Sequence, residues 1–381
     1  MQIRTLLYII PFFLFEACIE KYNPQIDEYN DLLSVEGAIT NEPGPYIIKL
    51  TKASPVYNPK YIPVSGANIV ISDNFDVEET LIELDSGVYS TNSFGIRGEI
   101  GKKYKITITV NGKTYESNYE ELVDPIEIDS IYAKIESKET REGTIEGLQF
   151  YIDTEVMINK SRYFLWLPVE TYKYKGDLLL NYIYHSLRDR EFIKKPVLSV
   201  CWHTQQVFET FTYSAENITE SKITNFPLHY VSTETKRISE RYSLLVNQYS
   251  ISKGAHIYWT EIKKQNVESG SMYTTQPFQI KGNLINIDNP DDIILGYFMA
   301  AGVSNKRIFV DRPELVFNYP ECKASNSAYN AIFFEDSDPV FPIYVSILSD
   351  GETEVLGVAG LSCYDCQLAG GSLNEPDFWV D

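Results

Sequence analysis

Few residues in this chain have both the type and the spacing to do chemistry: five cysteines, four histidines and two carboxylate runs. Cys363-Tyr364-Asp365-Cys366 is the most suggestive spacing. A redox pair of that form should open a helix after a strand, where the helix N-terminus lowers the thiol pKa. This one sits instead in a Gly- and Tyr-rich segment. A four-cysteine zinc site would need Cys201 and Cys322, which stand singly, and an oxidising compartment would compete for their thiols. Structural disulfides among Cys201, Cys322, Cys363 and Cys366 are the better reading, with three connectivities that spacing does not separate. His185, His203, His229 and His256 are scattered. The chain holds no H-E-x-x-H zinc helix, G-x-S-x-G elbow or phosphate-binding G-x-x-x-x-G-K-[ST] loop. Asp288-Asn289-Pro290-Asp291-Asp292 and Glu335-Asp336-Ser337-Asp338 offer hard oxygens for calcium, but lack EF-hand spacing and read equally as solvated turns. Trp166, Trp202 and Trp259 could stack on a sugar or peptide; their strand and helix contexts favour the core. No catalytic, cofactor-binding or metal-ligating residue is therefore nominated.

The fifth cysteine has a different context. Arg4 precedes an apolar run, Leu6 to Phe15, broken by Pro11, and Glu16-Ala17-Cys18 follows. The run is about half of the ~20 residues that a spanning helix needs. Residues 1–17 thus read as a signal peptide, and Cys18 as a lipobox cysteine that receives a diacylglycerol. Glu16 and Phe15 depart from the usual small and leucine residues of that motif. A plain secreted protein and a retained N-terminal anchor are the alternatives. Residues 18–30 are polar and aperiodic, a tether.

Bulk composition narrows the classes. The net charge of −20 argues against nucleic acid, which requires clustered Lys and Arg, and against electrostatic docking on an anionic leaflet. Cleavage after Ala17 removes one base (Arg4) and one acid (Glu16), so the charge is unchanged. The length predicts two domains. With 28 Tyr and 19 Phe the chain favours half-buried pleated surfaces, so a mainly β protein is expected.

From residue 31 to 122 short strands alternate with turns, the size of an immunoglobulin-like or transthyretin-like β-sandwich. Its clearest hairpin runs from Tyr104 to Val110, turns at Asn111-Gly112 and returns through Thr114 to Ser117. Tyr104 is placed as a tyrosine corner, a packing role. Pro125 marks a boundary, and 126–381 reads as a larger β-rich (α+β) domain. Strands are expected over Gln149–Met157, Tyr163–Tyr174, Val197–His203, Gln206–Tyr213 and Arg241–Ser250. One main helix spans 252–267, with Ser252 as N-cap and Ala255, Tyr258, Trp259 and Ile262 on one face. Lys253, His256, Lys263 and Lys264 fall opposite, a solvated face or a dock for an acidic partner. Leu295–Ala301 and Arg307–Val310 look like an adjacent strand pair, and Pro342–Leu348 and Glu354–Ala359 would complete their sheet. The closing Phe378-Trp379 should pin the tail.

In order and spacing these features resemble the Bacteroidota lipoprotein family catalogued as domain of unknown function 4249. Carrying the resemblance are Cys18, Val35-Glu36-Gly37-Ala38-Ile39-Thr40-Asn41, Gly87-Val88-Tyr89 and Gly101-Lys102-Lys103-Tyr104. Tyr258-Trp259, Gly282-Asn283, Leu295-Gly296-Tyr297-Phe298, Cys363-Tyr364-Asp365-Cys366, Gly370-Gly371 and Pro376-Asp377-Phe378-Trp379 continue it. The resemblance implies an outer-membrane lipoprotein paired with a TonB-dependent receptor in nutrient uptake, and it carries no catalytic residues over. The expected function is a non-catalytic binding accessory of that uptake system, with an unidentified ligand. A surface adhesion or envelope-assembly protein, and a surface hydrolase with a site assembled from distant positions, are the other readings.

Overall fold

The computed structural model describes residues 32–54, 60–141, 143–156, 161–193, 198–217, 221–268, 280–335, 338–349 and 354–380. Cys18, the stretch 1–17 that reads as a signal peptide and the stretch 18–30 that reads as a tether lie outside them.

The first strands fold as a sandwich. β1 (Leu33–Thr40) pairs antiparallel with β2 (Ile47–Lys52). β3 (Asn68–Asp73), β4 (Glu78–Thr80), β5 (Ile82–Asp85) and β6 (Val88–Ser90) follow, then β7 (Lys103–Val110), β8 (Lys113–Ser117) and β9 (Glu120–Glu121). β7 and β8 form the expected hairpin, and its Asn111 and Gly112 take the positive φ of 51° and 74° that a two-residue turn needs. Val35, Ile48, Leu50 and Tyr89 from one sheet meet Ile69, Ile71, Ile106 and Ile108 from the other in a shared core. Tyr104 is fully buried; its hydroxyl donates to the Arg97 carbonyl and accepts from the Glu99 N–H, tying down the 97–99 loop.

The strands then lengthen: β10 (Ile128–Thr140), β11 (Gly143–Glu155), β12 (Tyr163–Lys175), β13 (Tyr182–Ser186), β14 (Asp189–Phe192), β15 (Val200–Gln206), β16 (Phe211–Ser214), β17 (Lys222–Ser232) and β18 (Arg241–Ser250). Helix α1 (Lys253–Glu268) falls where its periodicity places it. β19 (Leu284–Asn286) and β20 (Leu295–Asp311) precede a short helix α2 (Asn326–Asn330) and strands β21 (Ile343–Ile347) and β22 (Leu356–Val358).

β20 departs most from expectation. Leu295–Ala301 and Arg307–Val310 are one continuous strand, not a pair. Its first half pairs parallel with β1 and its second half antiparallel with β18. Polar Ser304, Asn305 and Lys306 lie between the two expected strands, yet Ser304 donates to the Ile126 carbonyl and Lys306 to that of Asp129. One sheet, ordered β15-β12-β18-β20-β1-β2-β6-β5, therefore runs through the boundary expected at 123–126. Leu284, Ile294, Phe298 and Ala300 complete the core of the N-terminal sandwich. The sandwich thus takes strands from both sides of Pro125.

Around the second half of this sheet, side chains alternate between two further cores. Phe164, Trp166, Tyr242, Leu244 and Val246 face the three-stranded sheet β10-β11-β17. Leu165, Ile251, Met299 and Ala301 face α1, which contributes Ala255, Tyr258 and Trp259. β21 and β22 do not complete that sheet; they join β13 and β14 in a separate one. β10, β14 and β17 lie in stretches whose polar residues hid them from the sequence reading.

Gly302 sits where the 123–126 segment crosses β20. A Cβ there would lie 2.3 Å from the Val123 carbonyl oxygen and 2.4 Å from the Pro125 nitrogen. Backbone cannot give way as a flexible side chain can. Gly302→Ala is expected to cost about 1–3 kcal/mol, seen as a lower urea midpoint at unchanged slope. Asn305→Ala, on the exposed part of the same strand, should shift stability by no more than about 0.5 kcal/mol.

Candidate functional site

The four body cysteines form two disulfides, Cys201–Cys366 and Cys322–Cys363, closing sequence separations of 165 and 41 residues. Each cysteine of the C-x-x-C motif is bonded to a distant partner rather than to its neighbour. Neither a redox dithiol nor a four-thiolate zinc site is what the motif builds. The motif staples the C-terminal segment to the rim of β15, where Tyr174 donates to the Cys366 carbonyl at 2.6 Å and Gly371 lies against Cys201. Ser372 then exchanges two backbone hydrogen bonds with Trp202, and Trp379 packs edge-on against Trp202 and Phe309. Arg307 lies 3.6 Å over the Phe378 ring. The aromatic tail is pinned as its sequence implied.

Other residues singled out in the sequence are dispersed. Trp166 is fully buried and donates to Gln248; Trp259 donates to the Met299 sulfur. Neither is a stacking platform. Asp292 is engaged by Lys113, Asn286 and Asn289, so its carboxylate closes a turn. Asp336 and Ser337 of the second acidic run lie outside the described residues. Among the described residues no group of three or more metal-ligating side chains gathers. His185 faces Glu191, and His203 bonds the Gly370 carbonyl and stacks on Tyr172. His229 and His256 occupy two separate polar sites.

The first is a buried ionic network that periodicity could not show, because its members come from five elements. Glu170 on β12 is 1% exposed. It accepts from Gln205 (2.5 Å), Tyr242 (2.7 Å) and Arg237 (3.1 Å), and His229 lies 3.4 Å away. Burial alone would raise the Glu170 pKa; hydrogen bonds from His229, Gln205 and Tyr242 and the Arg237 charge outweigh it and hold the group down at about 2. Burial likewise works to lower His229, but Glu170 and Glu209 on its two ring nitrogens raise it.

The second lies along α1. The Ser252 hydroxyl accepts from Ala255 N–H at the first turn. The helix has no acid in its own first turn; Glu120 from β9 comes close beside it, hydrogen-bonded by Tyr297 at 2.5 Å. Burial nonetheless raises the Glu120 pKa above the usual carboxylate value, with Ser252, Tyr297 and Asn283 opposing. Two cavities follow one flank of this helix. One of about 460 Å3 lies at its start, among Ser161, Arg162, Tyr163, Glu216, Ser252 and Lys253. The next, of about 510 Å3, lies between α1 and β16, lined by Thr212, Ser214, His256, Thr260, Lys263 and Lys264. Of the basic face read from sequence, His256, Lys263 and Lys264 form one wall of this second cavity, and Lys253 lines the first.

The ionic network predicts a definite pH response. Glu170 is depressed, so its contribution holds above about pH 4.5 and is lost as pH falls toward 2. His229 is raised, so its contribution is full below about 6.5 and is lost as pH rises through its folded value. Glu170→Ala should cost about 3–5 kcal/mol by leaving Arg237 and His229 unpaired. His229→Gln should flatten the decline of stability as pH rises from about 6.5 into the alkaline range. Urea denaturation across that range checks both.

No helix among the described residues is long and apolar enough to cross a membrane. No curated protein matches the chain. A family model described as "Domain of unknown function (DUF4249)" matches residues 19–307, which include the sandwich, the ionic network, α1 and all but the last residues of β20. The chain belongs to the DUF4249 family.

Proposed function

We propose that this protein is an outer-membrane lipoprotein, anchored through a diacylglyceryl group on Cys18, that serves a TonB-dependent nutrient uptake system as a non-catalytic binding accessory. The observation that carries the reading is the use of its five cysteines. Four are joined to one another in the folded body, and Cys18, behind a short apolar run and a small residue, is the one left over. Two disulfides suit an exported protein, because thiols persist in reducing compartments and pair in oxidising ones. A polar stretch from Ile19 to Asn30 separates the cysteine from β1, enough chain to lift the body off a bilayer. With the chain at −20, adhesion to an anionic leaflet must come from acyl chains rather than from charge.

Cys18→Ser separates this reading from a secreted or otherwise retained protein. The wild type should take up labelled palmitate and sediment with outer membranes, and the variant should do neither while keeping both disulfides. A TonB-dependent receptor should co-purify with the wild type from detergent-solubilised membranes. Membrane retention of the variant would overturn the anchor. Purification of the anchored protein without any such receptor would overturn the uptake role.

A further inference from the structure

We propose that the groove between α1 and β16 takes an extended acidic segment of a partner protein, which adds to β16 as a further strand. This inference does not depend on the lipid anchor or on the uptake reading.

The open edge comes first. β15 and β16 both pair with the same side of β12, one after the other along its length. The outer edge of β15 is occupied by Ser372, through two backbone hydrogen bonds with Trp202. No strand pairs with the outer edge of β16 among the described residues. An edge strand presents its outward N–H and C=O groups at the spacing of another strand, and adding one is a recurrent way to bind a peptide.

The walls select charge. Lys253, His256, Thr260, Lys263 and Lys264 follow one another at helical spacing, and the 510 Å3 cavity is lined by the last four. Thr212 and Ser214 point from β16 toward them; the Thr212 and Thr260 hydroxyls are 3.3 Å apart at the floor. No acidic residue lines this cavity. Lys253 is held by Glu216 and Lys264 by Glu261, and Lys263 makes no ion pair among the described residues. In a chain of −20, this is a place where amines face a groove without lining carboxylates. His256 is depressed by burial, with Glu216 opposing, so at neutral pH it adds hydrogen bonding rather than charge.

Length and shape favour peptide over saccharide. From Lys253 to Lys264 the helix rises roughly 16 Å at ~1.5 Å per residue, which about five extended residues would span at ~3.3 Å each. Alternate side chains of such a segment would fall on the lysine side. Tyr213, the one aromatic ring in the lining besides His256, packs against Trp166 and Phe226 in the core, so it offers a sugar no stacking face.

The test pans a random octapeptide library against the full, detergent-solubilised chain at about 0.15 M salt, where the Debye length of ~8 Å screens long-range repulsion but not contact pairs. Proline-free sequences with Asp or Glu at alternate positions should be enriched. Bound to the wild type, the best of them should slow amide exchange at 211–214 and lose binding when alternate backbone amides are N-methylated. Lys263→Glu with Lys264→Glu should weaken it about tenfold or more, and the milder Lys263→Gln by a smaller factor in the same direction. Three results overturn the proposal: no acidic enrichment, binding that survives either N-methylation or charge reversal, or lysine-dependent binding of tetragalacturonate without binding of any peptide.

Discussion

The structure depends on one strand having two different neighbours. β20 pairs parallel with β1 over 295–301 and antiparallel with β18 over 302–311. Its even-numbered face supplies Phe298 and Ala300 to the sandwich core and Ile308 and Val310 to the second core. Its odd-numbered face supplies Tyr297, Met299 and Ala301 to the layer under α1, and then Arg307 and Phe309 to the aromatic tail. Side chains along a strand alternate with period two, so a slip of one residue would exchange these faces. Phe298 would then lie under the helix and Met299 in the sandwich. Every other part of the molecule is consistent with one register of this strand. Asn41 reinforces that register by clasping both the N–H and the carbonyl of Val303.

That arrangement explains why a strongly ionic group is tolerated on the face of the same sheet. Glu170 lies opposite Leu244 on β18 and Gln205 on β15, so sheet pairing brings Gln205 beside it and the neighbouring Tyr242 within reach. Arg237 and His229 arrive from a short turn and from the facing sheet. Desolvation of the carboxylate is the largest single influence and works against ionisation, yet four donors together overcome it. The network therefore has meaning only when β12, β15, β17 and β18 are all in place. Its energetic role is to penalise arrangements that lack one of them, rather than to add much to an already apolar core.

How much of this could be read beforehand follows from how local each signal is. Asn111-Gly112 between alternating residues specifies a hairpin by backbone sterics alone, and Ser252 ahead of an apolar stripe specifies a helix; both stand where they were placed. The disulfide fate of four cysteines was also readable, but not their pairing, which requires knowing that residue 366 comes to lie beside β15. β10 is not legible in a short window because Lys134, Glu136 and Lys138 lie on its outer face and compose a polar stretch. There Lys134 stacks over Tyr132 and Tyr151 and Lys138 over Tyr230. β20 reads as two strands because Ser304 and Asn305 satisfy themselves on Ile126 and Glu42, partners about 180 to 260 residues away in sequence. That one sheet continues past Pro125 is hidden for the same reason: nothing local to residues 123–126 announces a strand that returns after α1. The ionic network and the groove beside α1 are likewise products of pairing, invisible in any short window.

This sheet is open, with β15 and β16 on one side and β5 on the other, and unpaired edges invite promiscuous pairing. On the β15 side the chain covers the edge with its own C-terminal segment. It holds that cover with the Cys201–Cys366 disulfide, two backbone hydrogen bonds and the packing of Trp379. A few residues further along the same side of β12, β16 has no such cover among the described residues, and α1 places lysines above it. Lysines beside an edge repel basic and apolar strands and admit acidic ones. The same side chains that protect this edge from unselective pairing would therefore set its selectivity, which is why the charge of an incoming strand, rather than its hydrophobicity, is the variable on which recognition at β16 turns.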